Sequence, residues 1–335
     1  MLSYRDNLIK IGFESNAYVS YKSFYSKPKS LRDAILSMQA PASQDWSQVS
    51  DLPYDEYWTD EVQGVSWDGS HWIFSCNANQ KKPDVKDKAI YVFKGGQTLK
   101  DYTWVSRLKY KDITHPVAGA KESDSHWGQL TYHNDFVYIA HFWVDGPKNG
   151  EGNVVVFKNN EGFLALHKWI ELEKPKSPTD GRQERVEFQA INPWDGMFYT
   201  CFGSGIIHEF FIHDSDSGKY TGKTIKFDIP ITKVQGACFS PNGHLYIATN
   251  EYLQTNNRYQ TIWYYSALNG YRLGVIPVLA KEKLPNEELQ GICFANTSSV
   301  DGKMAQIHVI LLENHSAALD NIFFKSFFSV KPDIV

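Results

Sequence analysis

The sequence predicts an all-β fold, a five-bladed β-propeller with four-stranded blades, because one phrase recurs along the chain and the composition favours strands. The phrase is Gln-Gly, a short apolar run, a two-residue turn and a second apolar run. It is clearest in EVQGVSWDGSHWIFSC from Glu61 and in KVQGACFSPNGHLYIATN from Lys233. Aromatic residues make up 15% of the chain, and they are enriched in strands because large flat side chains pack well on pleated surfaces.

The phrase occurs five times, with starting points near 61, 126, 187, 233 and 288, and the copy at 126 has Gly and Gln in reverse order. Self-similarity at about this spacing is typical of propellers and other arrays, in which each repeat is one supersecondary unit. Each copy predicts a β-hairpin because turn residues separate its two apolar runs. The turns are Asp68-Gly69, Asn134-Asp135, Asp195-Gly196, Asn242-Gly243 and a longer connection across 296–302.

Two more strand-like runs follow each of the first four hairpins, which gives the four strands of a propeller blade. They are AIYVF with YTWVSRL, NVVVF with FLALHKWIEL, IIHEFFI with GKTIKFDI, and TIWYY with YRLGVIPV. The last unit has only three such runs and ends with NIFFKSFF. We therefore expect a strand at 17–24 to complete the last blade and close the ring, since closure leaves no open edge.

This interpretation divides the chain into an N-terminal segment, 1–56, and a propeller, 57–335. Besides the closing strand, the N-terminal segment is expected to contain a short helix at about 31–39. Ser30 is a suitable N-cap, and Leu31, Ile35 and Met38 recur at helical spacing.

The composition of the chain indicates which binding partners and which cellular compartment to expect. The net charge is −4 and there is no basic tract, so nucleic acid is not expected as a partner. No apolar stretch reaches the length of a membrane span. The four cysteines show no C-x-x-C spacing and lie in apolar phrases, which predicts buried free thiols. A reducing cytoplasmic setting follows, with a secreted protein lacking disulfides as the alternative.

The Gln-Gly pair has a structural explanation in a propeller, where the innermost strands crowd around one axis. Glycine at 64, 236 and 291, with Ala190, permits close approach of backbones. The polar residues Gln63, Gln189, Gln235 and Gln290 suit a narrow channel, in which their amides can bridge neighbouring strands.

Charged and polar residues are expected to meet at one mouth of this channel. Strand alternation places Glu61, Glu187, Lys233 and Glu288 on the same face as the glutamines, with His126 in the reversed copy. The second strands end at the same mouth. We therefore predict a ligand-binding set there, composed of Glu61, Gln63, Gln189, Lys233, Gln235, Glu288, Gln290, Trp143, Asn250, Glu313 and Asn314.

Two histidines suggest chemistry at this mouth. A turn near 133–135 places His126 opposite His141, with Cβ atoms within about 5 Å of each other. Such a pair can hold a divalent metal such as Zn or Ca, or can share a proton in acid–base chemistry. The catalytic candidates are therefore His126, His141 and Glu187. The alternative is a structural role, in which both imidazoles are hydrogen-bonded.

The carboxylates allow a further hypothesis. Like charges confined at one mouth raise the pKa of at least one of them, and a carboxylate pair can perform glycoside hydrolysis. Lys233 and His126 lie in the same ring, however, and simple neutralisation of the carboxylates is the alternative.

The repeated phrase resembles the blades of β-propeller proteins in general, over about residues 57–335. Five-bladed propellers include lectins, sugar hydrolases, nucleotidases and glutaminyl cyclases, so the resemblance implies a site at a channel mouth and does not select one activity. The Trp-Asp ending of the WD-repeat family is absent from the expected strand ends.

Three functions remain open from the sequence. The first is a lectin-like or small-molecule binding site edged by exposed aromatics, namely Trp143, Phe142 and Tyr252. The second is a metal-assisted hydrolase or lyase that uses His126 and His141 with Glu61, Glu187 or Glu288. The third is a protein-interaction scaffold.

Overall fold

A computed structural model describes the chain over most of the predicted propeller. The described residues are 47–48, 61–78, 87–95, 102–117, 121, 123, 125–144, 151–175, 186–202, 206–241, 243–254, 257–278, 287–300, 303–313 and 321–329. The predicted strand at 17–24 and the predicted helix at 31–39 lie outside them.

The described residues form five four-stranded antiparallel sheets. In four of them the strands follow chain order from one edge of the sheet to the other. The first sheet contains β2 (Val62–Trp67), β3 (His71–Cys76), β4 (Ala89–Gly95) and β5 (Tyr102–Lys109), and a 3-10 turn at Tyr110–Asp112 follows β5. The second contains β6 (Ser125–His133), β7 (Phe136–Trp143), β8 (Gly152–Asn160) and β9 (Phe163–Glu171).

The remaining sheets repeat this plan. The third contains β10 (Val186–Ile191), β11 (Phe198–Phe202), β12 (Ile206–His213) and β13 (Tyr220–Thr232), and the fourth contains β14 (Val234–Phe239), β15 (His244–Gln254), β16 (Asn257–Ser266) and β17 (Arg272–Val278). The last combines β18 (Glu287–Val300), β19 (Lys303–Glu313) and β20 (Asn321–Ser329) with a two-residue strand, β1 (Ser47–Gln48), which pairs with β20. The prediction of an all-β fold with four-stranded blades is confirmed.

The first strand of each repeat is the innermost. Strands β2, β6, β10, β14 and β18 contact one another in that order, and β18 contacts β2. The buried apolar side chains form five clusters, each of which joins two neighbouring sheets. The core therefore lies between blades, where removing apolar surface from water stabilises the arrangement of the sheets as well as each sheet.

The hairpin turns have the backbone that their residues predict. Gly69, Gly196 and Gly243 have positive φ, as do Asn134 and Asp135 in the second hairpin. The second hairpin has the predicted two-residue turn, in which this conformation matches the twist of the strands and Asn and Asp adopt it at low cost. The other three turns are longer than predicted, and in each a glycine adopts the positive φ.

The cysteines also agree with the sequence. Cys76, Cys201, Cys238 and Cys293 are buried and free. Each lies in one of the two inner strands of its blade and packs as a small apolar side chain.

Candidate functional site

The channel has a waist where the innermost strands approach one another most closely. A Cβ atom added to Gly291 lies 2.8 Å from the Val65 nitrogen and 3.0 Å from the Gly64 carbonyl carbon. One added to Gly64 lies 2.8 Å from the Leu130 nitrogen. The predicted close approach of backbones at these glycines is confirmed, because a side chain there meets main-chain atoms that cannot move aside.

Gln129 fills the waist, and the sequence did not predict this. Since Gly and Gln are reversed in the second copy, Gln129 occupies the position that Gly64 and Gly291 occupy in their strands. Its fully buried Nε2 donates to the carbonyls of Val65, Leu130 and Ile292, at 3.2, 2.8 and 2.6 Å. Its Oε1 accepts from the Ile292 nitrogen at 3.3 Å. The reversed order was the only sequence signal for this plug.

The waist separates two mouths. We use "upper mouth" for the end where the innermost strands begin and "lower mouth" for the end where they finish. The five residues predicted as a ring stand at equivalent positions of the upper mouth, each two residues before the Gln of its repeat, or before Gly128 in the reversed copy. They are Glu61, His126, Glu187, Lys233 and Glu288. The side chain of Glu187 lies outside the described part of the structure.

Two carboxylates of the upper mouth are held by glutamines of their own strands. Gln290 Nε2 donates to Glu288 Oε2 at 2.9 Å. Gln63 Nε2 lies 3.4 Å from Glu61 Oε2 and 3.4 Å from the Glu61 carbonyl oxygen. Because β18 contacts β2, the Glu288 and Glu61 pairs stand on neighbouring innermost strands. Both carboxylates are half-buried, so each retains access to a ligand.

The backbone fixes how Glu61 and Lys233 leave the strands. Both have positive φ, 54° and 51°, which is uncommon for residues other than Gly, Asn and Asp. Their carbonyls accept hydrogen bonds from the Asn77 and Asn250 nitrogens, at 3.0 and 2.9 Å. The same turn occurs in two blades, so the positive φ is a feature of the repeat. It sets the direction in which the Glu61 and Lys233 side chains leave their strands.

Asn77 and Asn250 join neighbouring blades. Asn250 Nδ2 donates to the Leu289 carbonyl at 3.0 Å, and its Oδ1 accepts from the Leu289 nitrogen at 2.7 Å. Asn77 makes the same two bonds to Trp127, at 2.7 and 2.8 Å. Asn250 was predicted to bind ligand, but its side chain is buried and its amide holds the next innermost strand in place.

Replacing Asn250 by Ala should lower the free energy of unfolding by about 1–3 kcal/mol, because the buried N–H and C=O of Leu289 lose their partners. Urea unfolding at neutral pH measures the effect. The exposed Asn160 provides the matched control, and Asn160→Ala should unfold close to wild type. Equal midpoints for Asn250→Ala and wild type would show that the bidentate contact contributes nothing.

The predicted pairing of His126 with His141 is wrong. The two-residue turn and a register shift between Trp127 and Leu130 place His126 opposite Phe142 and Trp127 opposite His141. Neighbouring residues of a strand point to opposite faces, so the two imidazoles lie on opposite faces of the hairpin and cannot jointly bind one metal ion. Within the described ranges, no group of three or more His, Cys, Asp or Glu side chains is placed to hold a metal.

The two histidines have different surroundings. His126 stacks on Phe142, with ring centroids 4.7 Å apart, and its Nε2 accepts from Asn77 Nδ2 at 2.9 Å, so its proton is on Nδ1. His141 is fully buried, between Trp143 and Trp169. Burial, with a smaller effect of the nearby Lys88, holds the pKa of His141 well below its ordinary value. His126 faces the upper mouth, whereas His141 belongs to the core.

The predicted exposed aromatics are also corrected. Trp143 and Phe142 are both 3% exposed, because the second blade packs them against His141 and His126. Neither presents a ring face to solvent, so neither can stack on a sugar. The side chains of Tyr252 and Glu313 and the whole of Asn314 lie outside the described residues.

The other two predicted glutamines have different environments. Gln189 is fully buried, and its Nε2 donates to the Tyr138 carbonyl of the neighbouring blade at 2.6 Å. This confirms that a glutamine of the repeat bridges neighbouring strands. Gln235 is half-buried on β14, two residues beyond Lys233.

Several solved structures of low sequence identity have a similar fold. An exo-β-1,3-galactanase from Clostridium thermocellum has a TM-score of 0.54 at 9% identity, over 79% of this chain and 58% of that one. A bifunctional GH43-CE protein from Bacteroides eggerthii has a TM-score of 0.52 at 14% identity, over 86% of this chain and 36% of that one. These two structures and the described sheets decide the fold. This chain is a β-propeller.

A third propeller of this kind is a GH43 β-1,3-galactosidase solved with galactodeoxynojirimycin, with a TM-score of 0.52 at 10% identity, over 86% of this chain and 97% of that one. Our propeller spans well under two thirds of the first two proteins but nearly all of the third. At such identities the likeness establishes the fold alone. No protein-family model matches the sequence, and neither does the sequence of any curated protein.

The described part of the chain contains no helix long and apolar enough to cross a membrane.

Proposed function

We propose that the protein is a glycan-active hydrolase that binds a carbohydrate at the upper mouth and acts on it with the carboxylates there. The observation that carries the proposal is the pair of half-buried glutamates, Glu61 and Glu288, on neighbouring innermost strands of the propeller. Support also comes from the similar solved structures, which are described as GH43 galactosidases and galactanases.

Glycoside hydrolysis needs one carboxyl group that donates a proton to the leaving oxygen and a second that activates water or attacks the sugar. Glu288 accepts a hydrogen bond from Gln290, which orients its carboxylate, and we assign it the base or nucleophile role. We assign the acid role to Glu61, whose Oε2 lies 3.4 Å from Gln63 Nε2. Glu187 stands at the equivalent position of the third blade and is the third candidate carboxylate.

Other residues of the upper mouth bind and orient the ligand in this proposal. His126 is half-buried at this mouth, and the bond that Asn77 makes to its Nε2 fixes the orientation of the ring. Lys233 is exposed and contributes positive charge beside the carboxylates. Carbohydrate binding without hydrolysis is the second candidate; the burial of Trp143 and Phe142 counts against it because lectin sites commonly use exposed rings.

The test is release of reducing ends from a polysaccharide panel that begins with β-1,3-galactan, together with calorimetric titration of galactodeoxynojirimycin. Glu61→Gln and Glu288→Gln should each lower the rate by at least about tenfold, as expected for loss of a general acid or base, at unchanged melting temperature. The exposed Glu171 supplies the control, and Glu171→Gln should retain wild-type activity.

The outcomes separate the two candidates. Binding that requires Glu61 and Glu288, without release of any reducing ends, would exclude the hydrolase and leave the binding function. No binding and no release across the whole panel would reject a carbohydrate function altogether. Full activity in both glutamate variants would show that Glu61 and Glu288 are not the catalytic residues.

We also propose that the five sheets are five blades of a closed ring whose last blade is completed from the N-terminal segment. Support comes from the contact of β18 with β2 and from the pairing of Ser47 and Gln48 with Phe324 and Phe323. A strand supplied from the other end of the chain removes an open sheet edge.

A further inference from the structure

The lower mouth holds a pocket that the proposed hydrolysis does not use. Its volume is about 180 Å³ and residues from all five innermost strands or the turns that follow them line it. At roughly 30 Å³ per water molecule, this is space for about six water-sized groups. The waist at Gln129 and the glycines lies between this pocket and the glutamates of the upper mouth.

The propeller repeat builds a collar of four aromatic rings and one proline around this pocket. Six residues beyond Glu61, His126, Glu187, Lys233 and Glu288 stand Trp67, Tyr132, Pro193, Phe239 and Phe294, and all five line the pocket. We call them the collar. Trp67, Tyr132 and Phe294 are half-buried, and Pro193 is exposed. Large apolar surface therefore remains open at the axis.

The floor of the pocket is small and uncharged. One position closer to the waist stand Ser66, Thr131, Cys238 and Cys293. Ser66 Oγ accepts from the Tyr132 nitrogen at 3.0 Å, and Thr131 Oγ1 donates to the Gln189 carbonyl at 3.3 Å. Burial raises the pKa of both cysteine thiols, so they stay neutral. The floor therefore supplies neither a charge nor a strong unused donor for an anion.

Negative charge surrounds the collar. The described turns of the innermost hairpins carry Asp68, Asp135 and Asp195, and these turn residues include no lysine or arginine. Tyr132 of the collar donates to Asp135 Oδ1 at 3.2 Å. Burial raises the pKa of Tyr132, and the neighbouring Asp135 and Asp68 raise it further. Lys158 and His71 line the adjoining cleft with Asp68 and Asp135, and His71 Nδ1 lies 2.9 Å from Asp68 Oδ2.

We propose that the collar is a binding site for a small organic cation of the trialkylammonium type. Aromatic rings attract such cations through their negative faces, and the carboxylates of the rim add long-range attraction. The pocket matches a head group of about six non-hydrogen atoms. Two sources share this chemistry, a free choline-like molecule and a trimethylated lysine side chain.

The site is tested by calorimetric titration with choline and with its neutral isostere, 3,3-dimethyl-1-butanol. Choline should bind at least about tenfold more tightly, because the cation contributes what the isosteric tert-butyl group cannot. Trimethyllysine in a short peptide is the third ligand. Whichever of choline and the peptide binds more tightly identifies the source, and either result supports the site.

Two variants separate the aromatic and the electrostatic contributions. Trp67→Leu should weaken choline binding, but Trp67 also packs on Trp72, with centroids 4.7 Å apart, and its loss can disturb the fold. Asp135→Asn should weaken choline binding by removing one carboxylate. It should leave the fold intact, because Asn accepts the positive φ of 65° at that exposed turn. Tyr271→Leu, at an exposed aromatic outside the pocket, should bind like wild type.

Equal affinity for choline and the neutral alcohol would overturn the proposal, as would no saturable binding of either. Wild-type affinity in a folded Trp67→Leu variant would overturn it too. Glu61→Gln and Glu288→Gln should leave choline binding unchanged, so failure at one mouth is distinguishable from failure at the other.

Discussion

Replacement of Gly291 by Ala should lower the free energy of unfolding by about 3 kcal/mol, the upper end of the usual cost of overpacking. The three heavy atoms nearest to the added methyl group are all backbone atoms, the Val65 nitrogen at 2.8 Å and the Gly64 carbonyl carbon and Cα at 3.0 Å. Since neither strand can yield without separating the first and last blades, the strain is not relieved by a rotamer change. Thermal and urea unfolding measure the loss.

The same methyl group is present naturally in one blade. Ala190 occupies the equivalent waist position of β10 and is fully buried, so the cost at Gly291 reflects its local neighbours. The control is Gly196→Asn, at a hairpin turn with φ of +69° and no atom within 4 Å of the added Cβ; it should be nearly neutral. Wild-type stability of Gly291→Ala would mean that the blades do not meet at the waist as described.

Acid should destabilise the protein through His244 between about pH 6.5 and pH 4. The imidazole is 1% exposed, and neither ring nitrogen has a hydrogen-bond partner among the described residues. Burial lowers its pKa from 6.5 to about 4. As the pH falls through this window the unfolded chain takes up a proton that the folded imidazole refuses, so the free energy of unfolding decreases. The full loss, reached below the folded pKa, is about 3 kcal/mol.

His244→Leu should remove this contribution to the acid limb. Urea unfolding of wild type and variant at a series of pH values from 7 to 4 measures the difference, which should grow steadily in favour of the variant as the pH falls. His141, which is also fully buried with a lowered pKa, remains in the variant and continues to cause some loss. The exposed His208 is the control, and His208→Gln should follow the wild-type curve. Parallel curves for His244→Leu and wild type would contradict the buried neutral imidazole.

In our proposals, the upper mouth binds and hydrolyses a carbohydrate and the lower mouth binds an organic cation. Glu61 and Glu288 stand above the waist, and the collar stands below it. Gln129 bonds to three carbonyls between them. A ligand at one mouth therefore cannot contact the other directly, and we expect the two sites to bind independently.

The pairing of His126 with His141 was wrongly predicted because the register of the hairpin could not be read from the sequence. The turn residues Asn134 and Asp135 were correctly identified, but the shift between Trp127 and Leu130 leaves no mark in the residue pattern. A change of one residue in register moves a side chain to the opposite face. His141 therefore went from a proposed metal ligand to a core residue.

The burial of Trp143 also could not be predicted from the sequence. Trp143 was expected at the surface because it ends a second strand, yet it is 3% exposed. Its environment is set by residues on other strands and by the packing of neighbouring blades, and no local periodicity reports these contacts. The reversed order at Gly128-Gln129 was visible, but its meaning depended on which strand faces Gln129 across the waist.

The four-stranded blades could be predicted from the residue pattern because hairpins are local. Apolar runs, turn residues and small residues at the crowded position all act within one repeat. It also predicted that equivalent positions would recur, among them Glu61, His126, Glu187, Lys233 and Glu288. The packing of the blades against one another was needed to show which side chains face the axis, which are buried between blades and which residue fills the waist. These outcomes depend on contacts between strands far apart in the chain, such as that between β18 and β2, and a single residue of register decides them.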